Sequence, residues 1–260
     1  MTLASVSGVV RDALGFAFTV VPGASALGDR VTELFAELPA GAEPKQAFRL
    51  DELGEHSWQR LEAVVAQVTL GAIAASEGQL LCHAGAVCRS SGDAAVICGP
   101  SGSGKTTLTV RLVESGLGYL TDETVCLDPA TLRARPYRKP VSVKRGSQQL
   151  LGHLRPRTLS EGTWVVPPAA FDVTGLPNRR LVPQLLLFPH YTEGADLRVE
   201  PLGEGEAAFR LGQNSSRLRA VRGGALPALA RLARRAPAYR LTYGDVDAAV
   251  RTVHELWDTA

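Results

Sequence analysis

The segment Gly99-Pro100-Ser101-Gly102-Ser103-Gly104-Lys105-Thr106 constrains this chain more than any other. It satisfies the spacing GxxxxGK[ST], and Thr107 follows it. The apolar run from Ala94 to Cys98 stands before it and the helix-forming TLTVRLVES after it, so strand, loop and helix come in the order that a phosphate loop needs. The glycines allow positive φ and turn successive N–H groups inward, toward the N-terminus of the following helix. Lys105 adds a mobile positive charge for the β- and γ-phosphates, and the Thr106 hydroxyl is a ligand for Mg²⁺. The residues from Gly99 to Thr107, with Pro100, Ser101, Gly102, Ser103 and Gly104 between them, are therefore the expected nucleotide site, with ATP and Mg²⁺ as its occupants.

A phosphate loop needs a second group that decides where the phosphoryl goes. Asp122 and Glu123 end the strand-like GYLT, sixteen residues after Thr106, where an open α/β sheet presents its ligands at the carboxyl ends of strands. One acid of the pair can accept the proton of an attacking hydroxyl while the other holds Mg²⁺. His83 interrupts an apolar strand and pairs, through the Ser90 to Asp93 turn, toward the mouth of the loop. A basic run follows, with Arg133, Arg135, Arg138, Lys139, Lys144, Arg145, Arg155 and Arg157. Arg138 and Lys139 lead into a strand and are the expected substrate-binding cations of that run.

The chain has 260 residues, 45% hydrophobic and 21% charged, enough for a sizeable core in one large or two small domains. With 28 Lys+Arg against 26 Asp+Glu there is no global basic field for nucleic acid, and Tyr137 alone does not supply the interleaved aromatics of a single-strand binder. No apolar run approaches the ~18 residues of a membrane helix, and Met1 to Ala17 lacks the charged start and apolar core of a secretory signal, so a cytoplasmic protein is expected. Cys82, Cys88, Cys98 and Cys126 form no CxxC pair and read as buried hydrophobes.

Periodicity predicts an α/β fold in two parts. Residues 1–78 read as a small α+β region: a strand over Gly15–Val21, a helix over Ala26–Leu38, a strand over Gln46–Leu50 and a long helix over Ser57–Ala75. Residues 79–260 read as the phosphate-loop domain: a hairpin over Leu80–Cys98, a helix over Lys105–Glu114, strands over Gly118–Thr121 and Thr124–Leu127, and an irregular excursion over Leu154–Arg180. There follow a strand over Leu181–Phe188, whose Pro183 suggests an edge, and helices over Leu218–Arg235 and Asp245–Trp257 that flank a strand over Ala238–Tyr243.

The order HAGAV, turn, VICGPSGSGKTT, helix, YLTDE resembles the catalytic domain of HPr kinase/phosphorylase and its shorter relatives, some of which modify precursor peptides while others phosphorylate free serine. The resemblance spans about Leu80 to Lys144. It implies a kinase that transfers the γ-phosphoryl of ATP to a hydroxyl of a peptide, a protein or a small amino-acid-like acceptor, and an assembly into homo-oligomers. It also implies Asp122 as base, Glu123 with Thr106 and Asp122 around Mg²⁺, and His83 orienting the pair. The family's second acid is usually Asp, so Glu123 extends the reach by a methylene. Two other readings are a phosphate-loop NTPase that drives a partner and a noncatalytic nucleotide-binding scaffold.

Overall fold

The computed structural model describes residues 8–21, 32–49, 57–156, 162–172, 174–177 and 179–259. The chain is a mixed α/β protein that divides into two compact units, Met1–Ser76 with Tyr137–Ala170, and Glu77–Pro136 with Phe171–Ala260. The sequence places one boundary near residue 78. Contacts add to the leading region a later segment, 137–170, which holds much of the proline-rich excursion.

In the smaller unit, β1 (Val10–Ala13) and β2 (Phe16–Val21) form an antiparallel pair, and β3 (Gln46–Arg49) joins β2 in parallel. Helix α1 (Ser57–Ala75) covers β2 and buries Leu61, Val64, Val65, Val68 and Ala72, the stripe that a 3.6-residue period dictates. Of the helix expected over Ala26–Leu38, residues 26–31 lie outside the described residues. Leu34, Phe35 and Leu38 beyond them are buried, with Phe35 edge-on to Phe18 at 5.1 Å. The excursion contributes β10 (Trp164–Val166), antiparallel to β9 (Val141–Val143).

The larger unit is built on a nine-stranded sheet. Its strands are β4 (Leu80–Cys88), β5 (Asp93–Cys98), β6 (Gly118–Thr121), β7 (Thr124–Leu127), β8 (Ala134–Arg135), β11 (Val182–Tyr191), β12 (Arg198–Leu202), β13 (Ser215–Ser216) and β14 (Ala238–Tyr243). The path runs β12-β14-β11-β5-β4-β7-β8, with β6 and β13 also on β4. Helix α2 (Lys105–Glu114) packs against β4 and β5, and α5 (Val246–Asp258) lies against α2 and β14. Helices α3 (Glu204–Gln213) and α4 (Ala225–Arg235) pair with each other. Their Ala207, Leu211, Ala228, Leu229 and Leu232 share one core with Leu80, Cys82, Ala84, Val96, Leu186 and Phe188. Strands covered on both faces read as near-continuous apolar runs, which accounts for AAVIC and, apart from the exposed His83, for LLCHAGAVC.

Two expectations are revised. Strand β11 is central, parallel to both β5 and β14, because the missing N–H of Pro183 falls where the register with β5 shifts, between Pro183 and Leu185. The helix expected from Leu218 begins at Ala225, since Gly223 and Gly224 take φ of 75° and 90° and end the preceding turn.

Candidate functional site

Register alone brings three segments of the larger unit side by side. Strand β5 ends at Cys98, just before the loop, and Cys98 lies opposite Ala84 of β4. On the other side of β4 the chain pairs twice. Strand β6 covers Ala86 to Cys88 and β7 covers Leu80 to His83, so the two-residue link between them, Asp122-Glu123, crosses beside His83 and Ala84. The Ala84 N–H donates to the Glu123 carbonyl at 3.1 Å, which fixes the crossing point. The N–H groups of Glu123 and Thr124 both donate to Thr121 Oγ1, at 3.3 and 3.4 Å, and hold the turn from below.

The loop itself enters α2 through Gly104, whose φ is 94° and where a Cβ would stand 2.6 Å from the Tyr243 hydroxyl oxygen. Only glycine meets both demands. No side chain caps α2, which leaves its first N–H groups to the loop's concavity. Lys105 is buried, and its Nζ donates to the carbonyls of Gly99 and Pro100 at 2.6 and 2.9 Å. A second glycine seats the helix on the sheet: a Cβ at Gly85 would lie 2.2 Å from Thr109 Oγ1, so the glycine of HAGAV lets α2 approach β4.

Asp122 is 6% exposed, and its Oδ1 accepts the Tyr119 hydroxyl at 3.1 Å. Tyr119 is in turn fixed at both ends. Its N–H donates to Asp172 Oδ2 at 3.1 Å, and its ring lies edge-on to Phe171 at 5.2 Å. Asp172 also accepts the N–H groups of Thr174 and Gly175 through Oδ1, and so closes the turn that carries Phe171. The sequence reading did not single out Tyr119 or Asp172. The signal for Tyr119 was its place three residues before Asp122; Asp172 sits in a segment without periodicity and gave none.

His83 feels all the other charges of the site. Burial first, and then the Lys105 ammonium, push its pKa below the ordinary histidine value, while Glu123 and Asp122 pull it upward. The structure thus brings together Lys105, His83, Asp122 and Glu123. It does not bring Arg138 and Lys139 into the same unit. Arg138 is buried in the smaller unit, with Nε and Nη2 donating to Glu37 Oε2 at 3.3 and 3.1 Å, and Lys139, 0% exposed, donates to the Pro140 carbonyl at 2.9 Å. Cys82, Cys88, Cys98 and Cys126 are all buried, and burial pushes the Cys82 thiol up to about 11, far from thiolate chemistry at neutral pH.

The donor set suits hard cations and phosphates. Thr106 offers a hydroxyl and Asp122 and Glu123 offer carboxylates, the oxygen ligands that Mg²⁺ prefers, while the glycine-lined turn and Lys105 suit a triphosphate. No helix among the described residues is long and apolar enough to cross a membrane. Compared with known protein families and with curated proteins, the sequence matches none.

Proposed function

We propose that this chain is a phosphate-loop kinase of the HPr-kinase-like type, which transfers the γ-phosphoryl of ATP to the hydroxyl of a peptide, a protein or a small amino-acid-like acceptor. The observation that carries the reading is the adjacency, across three neighbouring strands, of the loop entrance at Cys98, His83 with Ala84, and the Asp122-Glu123 crossing. An acidic pair on the far side of β4 from the strand that enters the loop supports a base acting on a phosphoryl acceptor.

In this reading Lys105 moves from the Gly99 and Pro100 carbonyls onto the β- and γ-phosphate oxygens. Asp122 accepts the proton of the acceptor hydroxyl as that oxygen bonds to the γ-phosphorus and the bond from the γ-phosphorus to the β,γ-bridging oxygen breaks, leaving ADP. Tyr119 keeps Asp122 facing that hydroxyl, and His83, uncharged at neutral pH, orients the acids without competing for their charge. Thr106, Glu123 and Asp122 would hold Mg²⁺, which when bound neutralises charge on the transferring group. The loop N–H groups and Lys105 stabilise the charge that develops on the leaving oxygen.

The rival reading, an NTPase, calls for an acid at the end of a strand further along the chain. Strand β11 lies beside β5 in parallel and ends in Pro189-His190-Tyr191 instead. ATP labelled in the γ-phosphate separates the readings. Label in an organic acceptor is expected; label in free phosphate alone, or no turnover with nucleotide bound, would overturn the proposal.

A further inference from the structure

A cleft of about 670 Å³ opens in the larger unit at the carboxyl ends of β5, β11 and β14, and none of His83, Lys105, Asp122 and Glu123 lines it. It lies behind the phosphate loop. Thr109 of α2 stands over Gly85, and alternation along β4 gives His83 the same face as Gly85. Ala84 takes the other face, where it shares a core with Cys98, Phe188 and residues of α3. Register sets Arg240 beside Phe188 and Thr242 beside His190, so these cleft residues belong to the α3 face. A ligand in the cleft therefore meets the loop from the side of the sheet opposite His83.

The lining says what that ligand is. Cys98, Phe188 and Pro189 give it an apolar wall, and the volume is in the range of small-molecule sites. Arg210 and Arg240 stand together because one oxygen, Glu206 Oε1, accepts from Arg210 Nη2 at 2.8 Å and from Arg240 Nη2 at 3.4 Å. Glu200, also in the lining, accepts from Arg240 Nη1 at 2.8 Å. All four side chains are between 30% and 51% exposed, so these ion pairs are weak and yield to a ligand carboxylate, which guanidinium forks fit. Ser103, 6% exposed, also lines the cleft, and its buried Oγ has no hydrogen-bond partner among the described residues. A polar atom of the ligand would satisfy it. Glu200 and Glu206 stand close by and the triphosphate lies across one turn of loop, so every further negative charge on the ligand meets repulsion. One carboxylate on an apolar body is the best match.

We propose that the cleft is an inhibitory effector site for a small, singly charged carboxylate with an apolar body and a second hydrogen-bonding group. The carboxylate lies on Arg210 and Arg240, the body against Phe188, and the second group on Ser103. Gly99 and Pro100, whose carbonyls hold the Lys105 ammonium, also line the cleft. An anion against them attracts that ammonium where it stands and repels a triphosphate on the far side of the loop, so effector and nucleotide oppose each other without touching. The proposal rests on the nucleotide site of the reading above and is independent of the acceptor.

The test is a calorimetric titration of the full chain, with and without Mg²⁺ and a non-hydrolysable ATP analogue. The probes are 4-hydroxyphenylacetate, its neutral amide 4-hydroxyphenylacetamide, and phenylacetate, which lacks the hydroxyl. The hydroxylated acid is expected to bind about tenfold more tightly than its amide. It should weaken the analogue about fivefold, up to a limit that more acid does not pass, and the analogue should weaken the acid by the same factor. Arg240→Ala and Arg210→Gln should each abolish the preference for the acid over the amide, and Ser103→Ala the preference over phenylacetate. Unchanged affinity for the analogue alone in the two arginine variants is the control for folding. No binding of the acid, or equal binding of the amide, overturns the assignment of the cleft. Binding that leaves the analogue unaffected overturns the inhibitory role. Displacement of the analogue without limit puts the acid in the phosphate loop itself and overturns the separate site. If the analogue fails to bind the unmodified chain, the nucleotide reading falls, while acid against amide still decides the cleft.

Discussion

In the larger unit four ionisable side chains from three segments, His83, Lys105, Asp122 and Glu123, meet where strand pairing places them. In the smaller unit Arg138 and Lys139 are bonded within that unit, one to Glu37 and the other to the carbonyl of the next residue, Pro140. The basic run from Arg133 to Arg157 is the denser concentration of charge in the sequence, yet the convergent charges come from a region that reads as almost wholly apolar. Density along the chain and convergence in space are different properties. A site follows from register, because pairing across a sheet fixes which residues face one another whatever their separation in sequence.

The sharpest way to break the comparison is to remove the groups that converge. Asp122→Asn keeps the shape of the site and removes the proposed base. Phosphoryl transfer should fall by about 10²–10⁴-fold with nucleotide affinity retained, read by label transfer and by titration with an ATP analogue. Near-normal transfer would take Asp122 out of the base role. Lys105→Ala removes the ammonium that the Gly99 and Pro100 carbonyls hold in place, and should cost about 10²–10³-fold in transfer, together with weaker triphosphate binding. An Ala variant that binds and transfers normally would leave the loop as a structural turn.

The next two variants sharpen the comparison by testing groups that act through others. Burial and Lys105 hold the pKa of His83 below the ordinary value, so the folded protein prefers it uncharged. Its contribution to stability is therefore complete above about pH 6.5 and is lost as pH falls through the folded-state value. His83→Asn should slow transfer about tenfold, equivalent to about 1.4 kcal/mol in the barrier, and should flatten the acid side of the stability–pH curve. If that curve keeps its acid limb, the limb belongs to another group. Tyr119→Phe removes one donor from Asp122 and leaves the ring against Phe171. Phosphoryl transfer should fall a few-fold while affinity for an ATP analogue stays where it was. An equal loss of analogue affinity would make Tyr119 merely structural.

Much of this site was legible because its elements are local. Strand β6, helix α2 and strand β7 start and stop where turn residues and apolar runs say they do, and the loop carries its own spacing. The cleft was not legible, because its lining comes from β5, β11, β12, α3 and β14, which only the sheet order brings together. Two of those elements gave no sequence signal at all. In RVEPL, the edge strand β12, no residue is fully buried, so it shows no alternation of apolar and polar positions, and Gly205 and Gly212 weaken the helical pattern of α3. The central place of β11 was hidden for the opposite reason: Pro183 is an edge signal unless its missing N–H falls at a bulge, and a bulge depends on the neighbouring strand.

The smallest expected effect tests the other side of the comparison. Arg138 is buried, its partner Glu37 is about one-third exposed, and the two join Tyr137–Ala170 to the leading segment within one unit. An ion pair with one open side gains little from Coulomb attraction in water, and most of its worth is the two hydrogen bonds that a buried guanidinium would otherwise lose. Arg138→Gln retains a donor of similar reach without the charge. It should lower stability by about 1 kcal/mol, seen as a small drop in the thermal midpoint, and leave the acceptor KM and kcat where they were. A rise in KM with the thermal midpoint unchanged would mean the reverse, that the guanidinium reaches the acceptor. The basic run would then belong to the site as its position before a strand suggests, and charge density would have been the better guide after all.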